Sequence, residues 1–163
     1  MAKKRKKISV RIIYQSLGPL PIRLSEQYVG LPLVFSDASA KRHGGLAAVM
    51  FGDPNAEPVV AIQTVPLDAS NALEFQAALF ALSKAYIQFA GKPFALFSDN
   101  LDAVERLKRA KALGLSEDAE LGHGLSQLGI SDALALASIC WVKGHSTCRG
   151  NTLADQYAAK AAS

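Results

Sequence analysis

Apolar and polar residues follow two distinct periods along the chain. Three short runs, "LPLVFSDAS", "GLAAVMFG" and "VVAIQTV", have the apolar density of buried or half-buried strands, and "AKRHG" and "DPNAEP" separate them. Connections this short suit antiparallel neighbours, which predicts a three-stranded meander. From Ser70 to about Ala90 the period becomes helical, with Phe75, Leu79, Leu82, Tyr86 and Phe89 at three- and four-residue steps and Gly91 and Pro93 as the stop. "PFALFSDN" then predicts a buried strand, "LDAVERLKRAKAL" a helix, residues 117–136 a weaker helical region, "ASICWVKG" a last strand and "NTLADQYAAKAA" a terminal helix. Strands separated by helices pair in parallel through right-handed crossovers. The expected fold class is therefore α/β: a five-stranded mixed sheet, antiparallel over its first three strands and parallel over its last two, with helices on both faces.

Length and charge divide the chain unevenly. Its 163 residues, half of them apolar, suit one domain with an ordinary core. "LGPLPIRLSEQYVG" breaks both periods and reads as a linker, so a domain over residues 31–163 is expected to follow an arm and linker over residues 1–30, where "ISVRIIYQS" has the pattern of an extra strand. The net charge of +4 conceals an asymmetry: residues 1–30 hold seven Lys and Arg against one acid, and the remainder holds 11 against 13. An arm containing "KKRKK" suits salt-sensitive, sequence-blind contact with nucleic acid, although such runs also occur as solvated tails or localisation signals. Cys140 and Cys148 are too few for a disulfide scaffold and lack zinc-site spacing, which fits a reducing compartment. No apolar run approaches the roughly 18 residues of a membrane span. A soluble, cytoplasmic protein without membrane contact is expected.

Four acids occupy unusual places in this layout. Asp37 interrupts an apolar strand, where an ionised carboxylate is costly without compensation. Asp99 ends the strand "FALF", at the carboxyl edge where open α/β sheets bind ligands. It is also a natural helix cap, a duty that Asn100 or Asp102 can equally perform. Glu74 follows Asn71 by three residues, a fair capping box, yet Ala78, Ala81 and Ala85 continue its face and allow close packing on the sheet. Asp155 has Ala158, Ala159 and Ala162 on its own face, and a solvated helix face explains it equally well. Were the four to converge at one sheet edge, their repulsion would be relieved by divalent cations with oxygen ligands, for which magnesium fits better than zinc. Two such ions can activate a water and stabilise the leaving oxygen of a phosphoryl displacement.

The motifs "SDAS", "NALE", "FSDN" and "WVKGHSTCRGNTLAD", in this order on this plan of elements, resemble ribonuclease HI over about residues 31–162. The last motif is the most specific, with a strand ending in V-K-G-H, a short loop, and an asparagine shortly before a helical aspartate. The resemblance implies a ribonuclease H-like fold and an endoribonuclease that hydrolyses the RNA strand of RNA/DNA hybrids with two Mg²⁺ ions, Mn²⁺ serving in their place. It implies that Asp37 is shared by both metals, that Glu74 and Asp99 serve one ion and Asp155 the other, and that His145 aids protonation or product release. Imidazole titrates near neutrality, which suits that role. It also implies substrate contacts by Ser39 near the scissile strand, by Asn71 in the groove, and by Asn151 before the last helix. Turn or cap hydrogen bonds explain Ser39 and Asn151 equally well. His43 and His123 suit solvent-facing turns and stand outside the site. A monomer is expected.

Two departures from that pattern stand out. The glycine-rich turn after the first aspartate is here the more basic "AKRHGG", and the tryptophan-bearing basic handle after the second helix is missing. Arg106, Lys108, Arg109 and Lys111 remain, but the sequence then turns acidic, leaving the N-terminal arm to supply non-specific affinity. Other nucleases and strand-transfer enzymes of the same fold use similar acids. However, a proofreading-type exonuclease would carry D-x-E where this chain has "DAS". A catalytically retired hybrid-binding module would have no need of all four acids.

Overall fold

The computed structural model describes residues 18–144 and 148–163, so the basic arm, the predicted extra strand at residues 8–16 and His145 lie outside the described residues. A helical turn, α1 (Ile22–Ser25), and a 3₁₀ turn (Glu26–Tyr28) precede β1 (Leu33–Ala40), β2 (Gly44–Phe51) and β3 (Val59–Val65). There follow α2 (Ser70–Gln88), β4 (Phe94–Ser98), α3 (Leu101–Leu113), α4 (Ala119–Gln127), the short α5 (Ala133–Leu136), β5 (Ala137–Trp141) and α6 (Arg149–Ala162). The sheet order is β3-β2-β1-β4-β5, with β1, β2 and β3 antiparallel and the β1–β4 and β4–β5 pairs parallel. The predicted mixed sheet and its helix order are thus the observed ones.

Each face of the sheet carries its own apolar layer. Alternate residues of β1 divide between them: Val34 joins Ala48, Leu96 and Ile139 under α2 to α5, whereas Leu33 and Phe35 join Phe51, Ala95 and Phe97 against α6. Phe35 stacks on Phe97 at 4.9 Å and meets Phe51 edge-on at 5.8 Å, contacts worth about 0.5–1.5 kcal/mol each beyond burial. Small residues let α6 approach closely. A methyl group at Gly45 would lie 2.1 Å from the carbonyl oxygen of Ala158, and one at Gly150 would lie 2.3 Å from the Phe35 ring.

The segment expected to be a linker packs on this second layer. Leu20 is buried there, and Tyr28 meets Phe97 edge-on at 5.0 Å. The carbonyl oxygen of Pro19 accepts hydrogen bonds from the Gly150 amide (3.0 Å) and the Cys148 thiol (3.4 Å). A few apolar residues without period suffice to cover an open sheet face, a signal that no helix or strand pattern reveals.

Candidate metal and catalytic site

Register brings the first two acids together. The β1–β4 ladder pairs Ser36 with Ser98, so the next residues, Asp37 and Asp99, stand level where adjacent strands run about 4.8 Å apart. Among the described residues, the buried polar ones are Ser36, Asp37, Ser98 and Asn151. Ser98 ends β4, Ser36 and Asp37 lie at the middle of β1 where its pairing with β4 stops, and Asn151 reaches Asp99.

Glu74 comes from α2. The predicted capping box is not formed, because α2 begins after Ala69 without a side-chain cap and Asn71 is already an exposed helical residue. Free of that duty, Glu74 points to the sheet edge, where its Oε2 is buried without a hydrogen-bond partner. Asp99 is likewise released from capping, since Asn100 caps α3 by accepting from the Ala103 amide at 2.8 Å.

Carboxylate oxygens of Asp37, Glu74 and Asp99 lie within 4.8 Å of one another. Asp155 is exposed on α6 and stands outside that trio, but close enough for its charge to act on Asp37 and Glu74. Burial, then the charges of Asp99 and Glu74, push Asp37 up to about 9, against a smaller opposing effect of its hydrogen bond from the Ala38 amide. Burial and Asp99 push Glu74 up to about 7, partly offset by a hydrogen bond with Asp37. Such crowding favours a bound cation.

The donor set fits a hard divalent ion. Opposite ligands of an octahedral ion at about 2.1 Å are about 4.2 Å apart, so oxygens spread over at most 4.8 Å need only a sub-ångström adjustment. The buried, unpartnered Glu74 oxygen is an acceptor that such an ion would satisfy.

Asn151 is buried, and its Nδ2 donates to Oδ2 of Asp99 at 3.3 Å while its Oδ1 has no partner. This situation suits holding Asp99 more than reaching outward to a substrate. Ser39 is half-buried near the end of β1. Asn71 lines an open cleft with Phe75, Arg106 and His123, and His43 and His123 are both exposed. A large concavity between Gly18–Gly30 and Pro54–Glu57 contains none of Asp37, Glu74, Asp99 and Asp155. Burial pushes the Cys148 thiol up to about 11, in keeping with a structural role.

Sequence reasoning missed Trp141. Its indole Nε1 donates to the main-chain oxygen of Asp99 at 3.1 Å, tying the end of β5 to the turn that carries the acid. The available signal was its place, as the chain's single tryptophan, directly before the V-K-G-H motif.

The RNase H family model matches residues 32–163. Among solved structures, the N-terminal RNase H domain of a Mycobacterium tuberculosis protein, fused to maltose-binding protein, superposes with a TM-score of 0.61 at 17% identity, over 80% of this chain and 92% of that one. RNase H1 of the halophilic archaeon Halobacterium salinarum gives 0.57 at 18% identity, over 80% and 98%. LC11-RNase H1, solved in complex with an RNA/DNA hybrid, gives 0.57 at 13% identity, over 81% and 99%. No curated protein sequence matches the chain.

Proposed function

The chain belongs to the RNase H family, and from that premise we propose that it is a metal-dependent endonuclease that hydrolyses the RNA strand of RNA/DNA hybrids. The observation that carries this reading is the trio Asp37, Glu74 and Asp99, with its unpartnered Glu74 oxygen, at the carboxyl edge of the sheet. The hybrid-bound state of LC11-RNase H1 supports the substrate class.

In this reading Asp37, Glu74, Asp99 and Asp155 would together hold two Mg²⁺ ions, or Mn²⁺ in their place, with Asp37 serving both, Glu74 and Asp99 one and Asp155 the other. What the bound cations supply is activation of a water and charge neutralisation at the leaving oxygen. Burial first, and then the charges of neighbouring carboxylates, keep Asp37 and Glu74 from full ionisation, so holding cations would require both to give up their protons. Asn151 and Trp141 hold Asp99 in place from α6 and β5. His145 transfers a proton to the departing oxygen or helps release product. Ser39 and Asn71 contact the hybrid, where ribose hydroxyls in the minor groove distinguish the RNA strand. The arm at residues 3–7 adds non-specific phosphate contacts, and the protein works as a cytoplasmic monomer. Among the described residues no helix is long and apolar enough to cross a membrane.

The test offers labelled RNA in RNA/DNA, RNA/RNA and DNA/DNA duplexes with Mg²⁺ or Mn²⁺, alongside Asp99→Asn. Cleavage confined to the hybrid's RNA and abolished by Asp99→Asn is expected. Equal cutting of DNA would overturn the substrate class, and hybrid binding without cleavage would favour a retired binding module.

A further inference from the structure

We propose that the β1–β2 turn, Lys41-Arg42-His43, is a phosphate clamp that grips the hybrid's backbone beside the acidic site, in place of a basic handle on the second long helix. The proposal rests on the hybrid reading above and adds a binding element to it.

The need for such an element follows from charge. The acidic edge repels phosphates, so affinity for a polyanion must come from cations on its flanks. The cations inherited on α3 are partly spent. Nη2 of Arg106 donates to Asp118 at 2.9 Å and to Glu120 at 2.8 Å, and its guanidinium sits 3.9 Å above the Phe75 ring. The Lys111 ammonium donates to the main-chain oxygen of Ala137. That leaves Lys108 and Arg109 exposed on this helix.

The β1–β2 turn is placed and built to supply what is missing. It continues β1 beyond Asp37, so it lies at the same sheet edge as the acids. Lys41 is four residues past Asp37, about 13 Å along a strand, which is roughly four base-pair steps of a duplex. Its backbone is fixed: the Lys41 amide donates to the His43 carbonyl at 3.0 Å, and the His43 amide donates to the Ala162 carbonyl at 2.9 Å. The close seating of Gly45 on Ala158 and Ala162 anchors the hairpin to α6. All three side chains are exposed, and among the described residues the ion pairs belong to Arg106 alone. The carboxyl end of α6 gives the turn a partial negative neighbour of about half a charge, too little to neutralise two full cations.

The test measures hybrid binding against salt concentration in an Asp99→Asn background, which prevents turnover. Lys41→Ala/Arg42→Ala should weaken binding at least tenfold near 0.1 M salt and lower the slope of log Kd against log salt by about 1–2, from about 0.9 per phosphate contact. Lys41→Arg should keep the slope, which separates charge loss from misfolding. Lys92→Ala, at the opposite edge before β4, should leave it unchanged. An unchanged slope in the double variant, or an equal fall in Lys92→Ala, overturns the clamp while the hybrid reading stands. Failure of the parent protein to bind hybrid overturns the hybrid reading, and the clamp falls with it.

Discussion

Asn151, on the first turns of the last helix, donates its side-chain amide to the carboxylate of Asp99, 52 residues earlier in the chain and on another element. The contact is 3.3 Å long and the asparagine is buried, so α6 positions an acid that β4 delivers. Partners that orient metal ligands are typically worth about 10–100-fold in affinity or activity. Asn151→Ala should therefore raise the divalent-ion concentration for half-maximal cleavage by about tenfold or more, with less effect at saturating metal. A metal titration with unchanged midpoint would remove Asn151 from this role.

Crowded carboxyls give the metal-free protein an unusual pH dependence. Asp37 and Glu74 have folded-state values of about 9 and about 7, above their ordinary 3.8 and 4.5. The folded protein therefore binds more protons than the unfolded chain between those limits, and stability falls as pH rises from about 4 through about 9. In a chelator, the melting temperature should drop between pH 5 and pH 9. Asp37→Asn should flatten that drop and raise the pH 8 melting temperature by several degrees, a change of about 1–2 kcal/mol being worth about 2–8 °C for a protein of this size. Added Mg²⁺ should recover most of the loss in the parent protein and little in the variant. Calorimetry showing a flat profile in the parent would falsify this account.

Close approach of α6 to β2 leaves no room at Gly45. Gly45→Ala puts a methyl group against main-chain atoms of Ala158 and Ala162, which no side-chain rotation relieves. The expected cost is about 3 kcal/mol or more, read as a fall in the unfolding midpoint in urea. Gly150→Ala, against the Phe35 ring, should be of similar severity. A midpoint within error of the parent in both variants would contradict the packing described here.

Arg106 gives the opposite pattern to the turn cations. It bridges Asp118 and Glu120 and covers Phe75, so Arg106→Ala should cost about 1–2 kcal/mol of stability while leaving the salt slope of hybrid binding nearly unchanged. Its side chain is about one-third exposed, which holds that cost to the lower end. A slope reduced as much as in Lys41→Ala/Arg42→Ala would return Arg106 to the binding surface.

Much of this protein was legible in its residues. The change from strand-like to helical period at Ser70 and the short links between the first three apolar runs determined the element order, because periodicity is a local property of the chain. The acids were conspicuous for the same reason, each being a polar residue where the local pattern asked for none or for a cap. Whether a residue caps or turns inward is not a local property. Asn71 and Glu74 spell a capping box, yet α2 starts two residues too early for it, and Glu74 instead meets Asp37 and Asp99.

The amino-acid sequence by itself determined the order of strands and helices, the set of acids and the uneven distribution of charge. Only the tertiary structure decided that three of those acids share one edge while Asp155 stands apart, that Asn151 and Trp141 hold Asp99, and that Arg106 is spent on Asp118 and Glu120. It also decided that Gly18–Gly30 covers the second apolar layer. The reason is physical: periodicity and composition report what each residue prefers near itself in the chain. Carboxylate repulsion, buried hydrogen bonds and packing of α6 on the sheet depend on distances between residues far apart in sequence, which only the folded register sets.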